Sequence, residues 1–154
     1  MMNLYFDVLK RLEGKKLVTA ESCTGGGIGA ALTAVPGSSR VYKGGVICYT
    51  NWVKQNVLGV DEELLNREGA VSVPVAEAMA AGARRYLEAD VAVSVTGLSG
   101  PVGDVYGNPV GTVFIGYADA AVTVSRGFHF SGDREAVRNQ AITEALKLVL
   151  SCNG

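Results

Sequence analysis

Lys16-Leu17-Val18-Thr19-Ala20-Glu21-Ser22-Cys23-Thr24-Gly25-Gly26-Gly27 is a short apolar run that ends in hydroxyls, a thiol and three glycines. Residues 28–34, which follow, read as helix, so the stretch is a strand that turns sharply into a helix. Such a turn leaves several backbone N–H groups unpaired at the helix start. With the helix dipole behind them, those donors suit a phosphate or a developing oxyanion. Ser22, Cys23 and Thr24 stand where a nucleophile would be presented.

Taken alone, the segment admits several readings. A P-loop is excluded, because no Lys-Ser/Thr pair follows the glycines. Gly25, Gly27 and Ala30 match the G-x-G-x-x-A dinucleotide fingerprint. That fingerprint also requires an acid roughly 20 residues on, at the end of the next strand. Here that strand ends at Tyr49-Thr50-Asn51, and the nearest acid is Asp61. A nucleophile or small-anion site remains, beside the plain reading of a glycine turn for close helix–sheet packing.

Working outward, Leu4, Val8 and Leu12 recur at helical spacing before Gly14, which predicts a helix over 2–13. Pro36-Gly37-Ser38-Ser39 breaks the helix after the glycine turn, and residues 44–49 read as a buried strand. Asn51 is expected to cap a short helix near 52–58, with another at 61–67. Ser72 is the expected N-cap of a helix over 73–88, with Pro74 in its first turn and Val75, Met79, Gly82 and Tyr86 on one face. Residues 90–96 read as a central strand, and the loop at 97–109 is long enough to be functional or mobile. Residues 110–117 and 121–130 form a hairpin around 118–120, and a helix over 133–151 carries Val137, Ala141, Ala145 and Leu148 on one face. Helices alternating with strands predict a three-layer α/β/α sandwich with a mostly parallel sheet of about five strands, one of them antiparallel.

The chain of 154 residues is expected to be a single domain over 1–154. Its 14 basic and 15 acidic residues nearly balance and form no basic stripe, which argues against nucleic-acid binding. No signal peptide or membrane span is legible, and three cysteines without C-x-x-C spacing suit a reducing cytoplasm, with no disulfide framework and no structural metal. The apolar composition is compatible with a homodimer.

In open α/β sheets, ligands sit beyond the carboxyl ends of the parallel strands. Three segments reach that edge: Glu21-Ser22-Cys23-Thr24, Tyr49-Thr50-Asn51 and Thr96-Gly97-Leu98-Ser99-Gly100-Pro101. A catalytic serine needs a base. The one histidine, His129, lies between Phe128 and Phe130 and reads as a strand residue. Lys54, five residues beyond Tyr49, is the better candidate base, because a desolvated lysine can lose its proton near neutral pH, beside the plain reading of a solvated surface lysine. Arg134 and Arg138 share a helix face and could clamp a phosphate or simply face solvent.

These residues together resemble the C-terminal domain of the competence/damage-inducible CinA family, whose members include nicotinamide-nucleotide amidohydrolases. The resemblance runs over about residues 5–150 and rests on Ala20 to Gly26, Pro36 to Ser39, Gly44-Gly45-Val46 with Tyr49, Asn51 and Lys54, and Leu58-Gly59-Val60. It continues through Gly69 to Ser72, Thr96-Gly97 with Gly100-Pro101, Pro109 to Val113, and Gly132-Asp133-Arg134 with Arg138 and Gln140. It departs at Trp52 and Val53, at Leu98 and Ser99, and at Tyr106 and Asn108. The resemblance implies deamidation of nicotinamide mononucleotide to nicotinic acid mononucleotide and ammonia, with no cofactor. Ser22 would be the nucleophile, Lys54 its base, and Tyr49 the group that relays or orients the proton. Glu21, Cys23, Thr24, Gly25, Gly26, Asn51, Thr96, Gly97, Arg134 and Arg138 would bind the substrate, with Cys23 as an alternative nucleophile. Many members carry a separate N-terminal domain, whereas this chain begins at the deamidase-like part.

Overall fold

The computed structural model describes residues 2–154. Its strands are β1 (Leu17–Glu21), β2 (Tyr42–Ile47), β3 (Val91–Gly97), β4 (Thr112–Ala118) and β5 (Thr123–His129). They form one sheet in the order β2-β1-β3-β4-β5. β1 runs parallel to both β2 and β3, while β4 pairs antiparallel with β3 and with β5. Four strands therefore share one direction and β4 alone opposes them, as the sequence predicts.

Among the described residues six α-helices and a short 3-10 turn (Ser38–Arg40) complete the fold: α1 (Met2–Arg11), α2 (Gly27–Thr33), α3 (Asn51–Asn56), α4 (Glu62–Glu68), α5 (Val73–Tyr86) and α6 (Arg134–Cys152). Successive strand side chains point to opposite faces of a sheet, and the two cores follow that alternation. Leu17, Val91, Val93 and Val95 pack with Val8 and Leu12 of α1, Ile28 and Leu32 of α2, and Val137 and Ala141 of α6. Val18, Ala20 and Ala92 face the other way, toward Leu65 of α4, Val75 and Met79 of α5, and Leu58 and Val60 behind α3. The result is a three-layer α/β/α sandwich.

Several local expectations are corrected. β2 begins at Tyr42 and is an edge strand whose residues alternate between half-buried and exposed. A run of apolar and glycine residues does not distinguish an edge from an interior strand. Thr50, not Asn51, is the N-cap of α3. Ser72 does stand at the N-cap of α5, but its hydroxyl donates to Gly69 O at 2.9 Å and caps no helical N–H. Tyr86, at the end of α5, is 60% exposed, whereas Val75, Met79 and Gly82 of the same expected face are buried. Gly82 marks the closest approach of α5 to the turn behind α3: a Cβ there would lie 2.0 Å from Leu58 O.

Candidate active site

The turn after β1 is built around a buried carboxylate. Glu21 Oε1 accepts from Thr24 Oγ1 at 2.8 Å and from the Ile28 N–H at 2.7 Å, and its Oε2 accepts from the Gly29 N–H at 3.0 Å. The donors at the start of α2, which the sequence leaves open for a ligand anion, are thus taken by the chain's own acid. A carboxylate at a helix N-terminus is favoured by both hydrogen bonding and the dipole. Gly25 and Gly26 adopt left-handed backbone at φ 59° and 103°, which lets the chain turn back within two residues. Among the described residues, the N–H groups of Thr24 and Gly26 donate to no backbone or side-chain acceptor, while the Cys23 N–H faces its own thiol.

Ser22 is pinned at the head of this turn. Its N–H donates to Val95 O at 3.0 Å, and its carbonyl accepts from the Gly25 N–H at 3.1 Å. The Cys48 N–H donates to Glu21 O at 2.9 Å, which ties the end of β2 beside it. From α3, Lys54 reaches back into this space. Its Nζ donates to Ser22 Oγ at 3.1 Å and to Cys48 O at 2.8 Å. Lys54 is only 2% exposed and makes no ion pair among the described residues.

That isolation decides its chemistry. Burial disfavours the charged form and lowers the Lys54 pKa from its ordinary 10.5. Burial acts oppositely on the thiols, pushing Cys23 and Cys48 up to about 11. Both thiols are therefore neutral at pH 7 and hold no negative charge beside Lys54. Cys23, protonated and buried, is a poor nucleophile, because the thiolate is the reactive form.

Ser22, Cys23 and Lys54 open into a cavity of about 290 Å³ that also takes Tyr49 and Asn51, Thr96 to Gly100, and Arg134. The three strand-end segments therefore converge. Ala70, Val71 and Val102 supply walls; the first two belong to the Gly69 to Ser72 stretch that carries the resemblance, but none of the three is an expected site residue. The Thr96 hydroxyl is spent on Ala70 O at 2.8 Å, which draws that wall against β3. Tyr49 is 58% exposed, and its oxygen accepts from Arg134 Nη2 at 3.0 Å. Arg134 Nη1 donates to Gly100 O, so one guanidinium bridges the two sides of the cleft.

Other expected site residues lie elsewhere. Glu21, Thr24, Gly25 and Gly26 do not line this cavity; they shape the turn behind Ser22. Arg138 donates to Thr24 O at 3.0 Å and borders a second cavity, with Gly27 and Asn139, that meets the first only at Arg134. His129 sits on β5 with Nε2 against Val110 O at 3.0 Å, away from the cleft. The loop after β3 is ordered by its own bonds: the Asp104 carboxylate accepts from the N–H groups of Tyr106 and Asn108, each at 3.0 Å. Asn108 Nδ2 and the Tyr106 hydroxyl then tie it to Val71 O and Asn66 O. Among the described residues no three His, Cys, Asp or Glu side chains cluster as metal ligands, and no helix is long and apolar enough to cross a membrane.

Fold and cleft together define a class: a three-layer α/β/α protein with a buried serine–lysine pair at the carboxyl edge of its parallel strands. Residues 2–153 match the sequence model of the CinA C-terminal domain, and the chain belongs to that family. It is 48% identical over 139 residues to a CinA-like protein of Endomicrobium trichonymphae, covering 90% of this chain and 32% of the relative. A CinA-like protein of Synechococcus sp. (strain CC9311) is 58% identical over 110 residues, covering 70% of this chain and 26% of the relative. The chain thus spans about a third of the length of these curated relatives. The structure superposes on a competence-damaged protein (CinA) superfamily protein from Escherichia coli with TM-score 0.95 and 37% identity, covering 98% of this chain and 89% of that one. It matches the competence/damage inducible protein CihA from Agrobacterium tumefaciens with TM-score 0.95 and 35% identity, covering 99% and 95%.

Proposed function

We propose that the chain is an amidohydrolase that deamidates nicotinamide mononucleotide to nicotinic acid mononucleotide and ammonia. One observation carries the reading: a buried lysine without an acidic partner, 3.1 Å from the hydroxyl of a pinned serine. A lysine held this way serves structure poorly, since its charge is costly to bury. As a neutral amine it is a general base, and the same Ser22–Lys54 hydrogen bond then runs from hydroxyl to amine.

In the first half-reaction Lys54 Nζ takes the Ser22 proton while Ser22 Oγ bonds to the carboxamide carbon. The carbonyl oxygen becomes an oxyanion, which a backbone N–H of the turn at Cys23, a residue that lines the cavity, would steady. Collapse of this intermediate breaks the C–N bond. The proton on Lys54 goes to the departing nitrogen, and ammonia leaves an acyl-serine. Water then attacks the ester, Lys54 again takes a proton and returns it to Ser22 Oγ, and the carboxylic acid is released.

The rest of the cleft supports binding. Its roughly 290 Å³ lies at the small end of ligand pockets, which suits one mononucleotide. Arg134 at the mouth supplies positive charge for the phosphate, and Arg138 lies one helical turn further along α6. Tyr49 keeps its own O–H free while its oxygen holds Arg134, so it orients the mouth and can pass a proton toward the leaving group. The site requires no cofactor for this chemistry.

Ammonia release is the test, with nicotinamide mononucleotide, nicotinamide riboside and free nicotinamide compared on the purified protein. Turnover that favours the mononucleotide supports the reading. Tight binding of the mononucleotide with no ammonia would instead assign a nucleotide-binding module.

A further inference from the structure

The polar side chains of the cleft are nearly all committed to one another. Ser22 and Lys54 share a hydrogen bond, the Thr96 hydroxyl proton goes to Ala70 O, and Arg134 is divided between Tyr49 and Gly100. Ser99 is the exception among the buried ones. It lines the same cavity, and although the residue is only 7% exposed its hydroxyl oxygen is open to the cleft, with no hydrogen bond to a group among the described residues. A hydroxyl that opens to a cleft without a protein partner is a place for a ligand atom or the water it displaces.

Its position is fixed from both sides. The Leu98 N–H donates to Thr112 O at 2.9 Å and the Leu98 carbonyl accepts from the Gly111 N–H at 2.7 Å. On the other side, Arg134 holds the Gly100 carbonyl. With both neighbours tied down, Ser99 is preorganised, which is how a contact contributes affinity without an ordering penalty.

We propose that Ser99 is a specificity-determining residue of this cleft and that its hydroxyl hydrogen-bonds a ribose hydroxyl of the substrate. The proposal rests on the deamidase reading. With the amide carbon at Ser22 and the phosphate beside Arg134, the sugar lies between them. Ser99 carries no charge to recognise phosphate. A serine hydroxyl both donates and accepts, as a sugar alcohol does. A site that bonds a substrate hydroxyl also rejects the analogue lacking it, because its own polar group is then left unpaired.

The experiment compares kcat/KM of the wild type and Ser99→Ala on nicotinamide mononucleotide and on its 2′-deoxy and 3′-deoxy ribose analogues. Removing one oxygen that has no protein partner leaves folding intact, which an unchanged thermal midpoint verifies. The expected result is a loss of about tenfold on the mononucleotide, mostly in KM, that disappears on one of the deoxy analogues. Equal losses on all three, or no loss, would overturn the proposal. If the wild type binds the mononucleotide without hydrolysing it, the deamidase reading fails, and the same comparison made in Kd by calorimetry decides the role of Ser99. A wild type that neither binds nor hydrolyses the mononucleotide overturns both.

Discussion

Lys54 Nζ lies 3.1 Å from Ser22 Oγ, although 32 residues separate them in the chain and Ser22 follows β1 while Lys54 comes from α3, beyond β2. The lysine is buried, and its nearest other partner is a neutral carbonyl. Its pKa is accordingly lowered from 10.5 by desolvation. In the proposed reaction the deprotonated amine acts as the base, so kcat/KM is expected to rise with pH along an acid limb whose midpoint falls below 10.5. Lys54→Met should cost about 10²- to 10⁴-fold in kcat and abolish that limb. A variant that keeps the wild-type limb would assign the titration to another group.

The same shift has a consequence for stability. Between the lowered folded pKa of Lys54 and its ordinary 10.5, the unfolded chain keeps a proton that the folded chain has released. The unfolded state then binds more protons, so stability rises with pH across that window. The contribution is complete above 10.5 and is lost as pH falls through the folded value. Urea midpoints of wild type and Lys54→Met, followed across that window, should diverge as pH is lowered. Parallel profiles would show that the amine is not desolvated.

Ser22 and Cys23 are adjacent, and both line the cavity. Only Ser22 has a base against it, while the Cys23 thiol is pushed up to about 11. Ser22→Ala is expected to remove turnover by about 10³-fold or more, and Cys23→Ala to leave it within about threefold. A thiol-alkylating reagent near pH 7 should act slowly. Rapid inactivation by that reagent, protected by substrate, would transfer the nucleophile to Cys23.

The layer order and the site were legible in different degrees. The apolar strands at 17–21 and 91–97, each buried on both faces, and the glycine turn specify the sandwich, and three strand ends then meet at one edge. Lys54 could be suspected from its spacing to Tyr49, but its burial depends on its side chain being drawn toward Ser22 Oγ and Cys48 O, a tertiary fact. The role of Glu21 was hidden for a physical reason: a carboxylate beside a helix start looks like a ligand contact until its donors are seen to be Ile28 and Gly29. Ala70 and Val71 carry no chemistry of their own and are held at the cleft by the bonds from Thr96 to Ala70 O and from Asn108 to Val71 O. Edge and interior strands share the same residue types, which is why β2 was read as buried.

Glu21 invites a stability experiment. Its carboxylate satisfies the Thr24 hydroxyl and two N–H groups of α2 at once. Glu21→Ala would strand all three donors in a buried turn, at a cost of about 3 kcal/mol or more. Glu21→Gln keeps one acceptor oxygen but turns an NH₂ toward an N–H, so it should fall between the two. Urea unfolding orders the three proteins. If Glu21→Gln matches wild-type stability but loses substrate affinity, the acid is a ligand contact and not a helix anchor.

Gly82 offers a way to move Lys54 without touching the cleft. Alanine is the better helix former by about 1 kcal/mol, so Gly82→Ala in the middle of α5 would ordinarily stabilise. Here its Cβ would lie 2.0 Å from Leu58 O and 3.0 Å from Leu58 C, which are backbone atoms that cannot rotate away. Either α5 retreats from the sheet or the turn after α3 is pushed outward. That turn is tied to Lys54 through the Val60 N–H bond to Lys54 O at 3.0 Å. Overpacking of this kind costs about 1–3 kcal/mol, so Gly82→Ala should lower the urea midpoint. It should also reduce kcat more than KM, because the amine moves relative to Ser22 while the cavity mouth at Tyr49 and Arg134 stays in place. A Gly82→Ala protein that is more stable and equally active would show that α5 and the α3 turn are not in tight contact, and that Lys54 is positioned by Cys48 O alone.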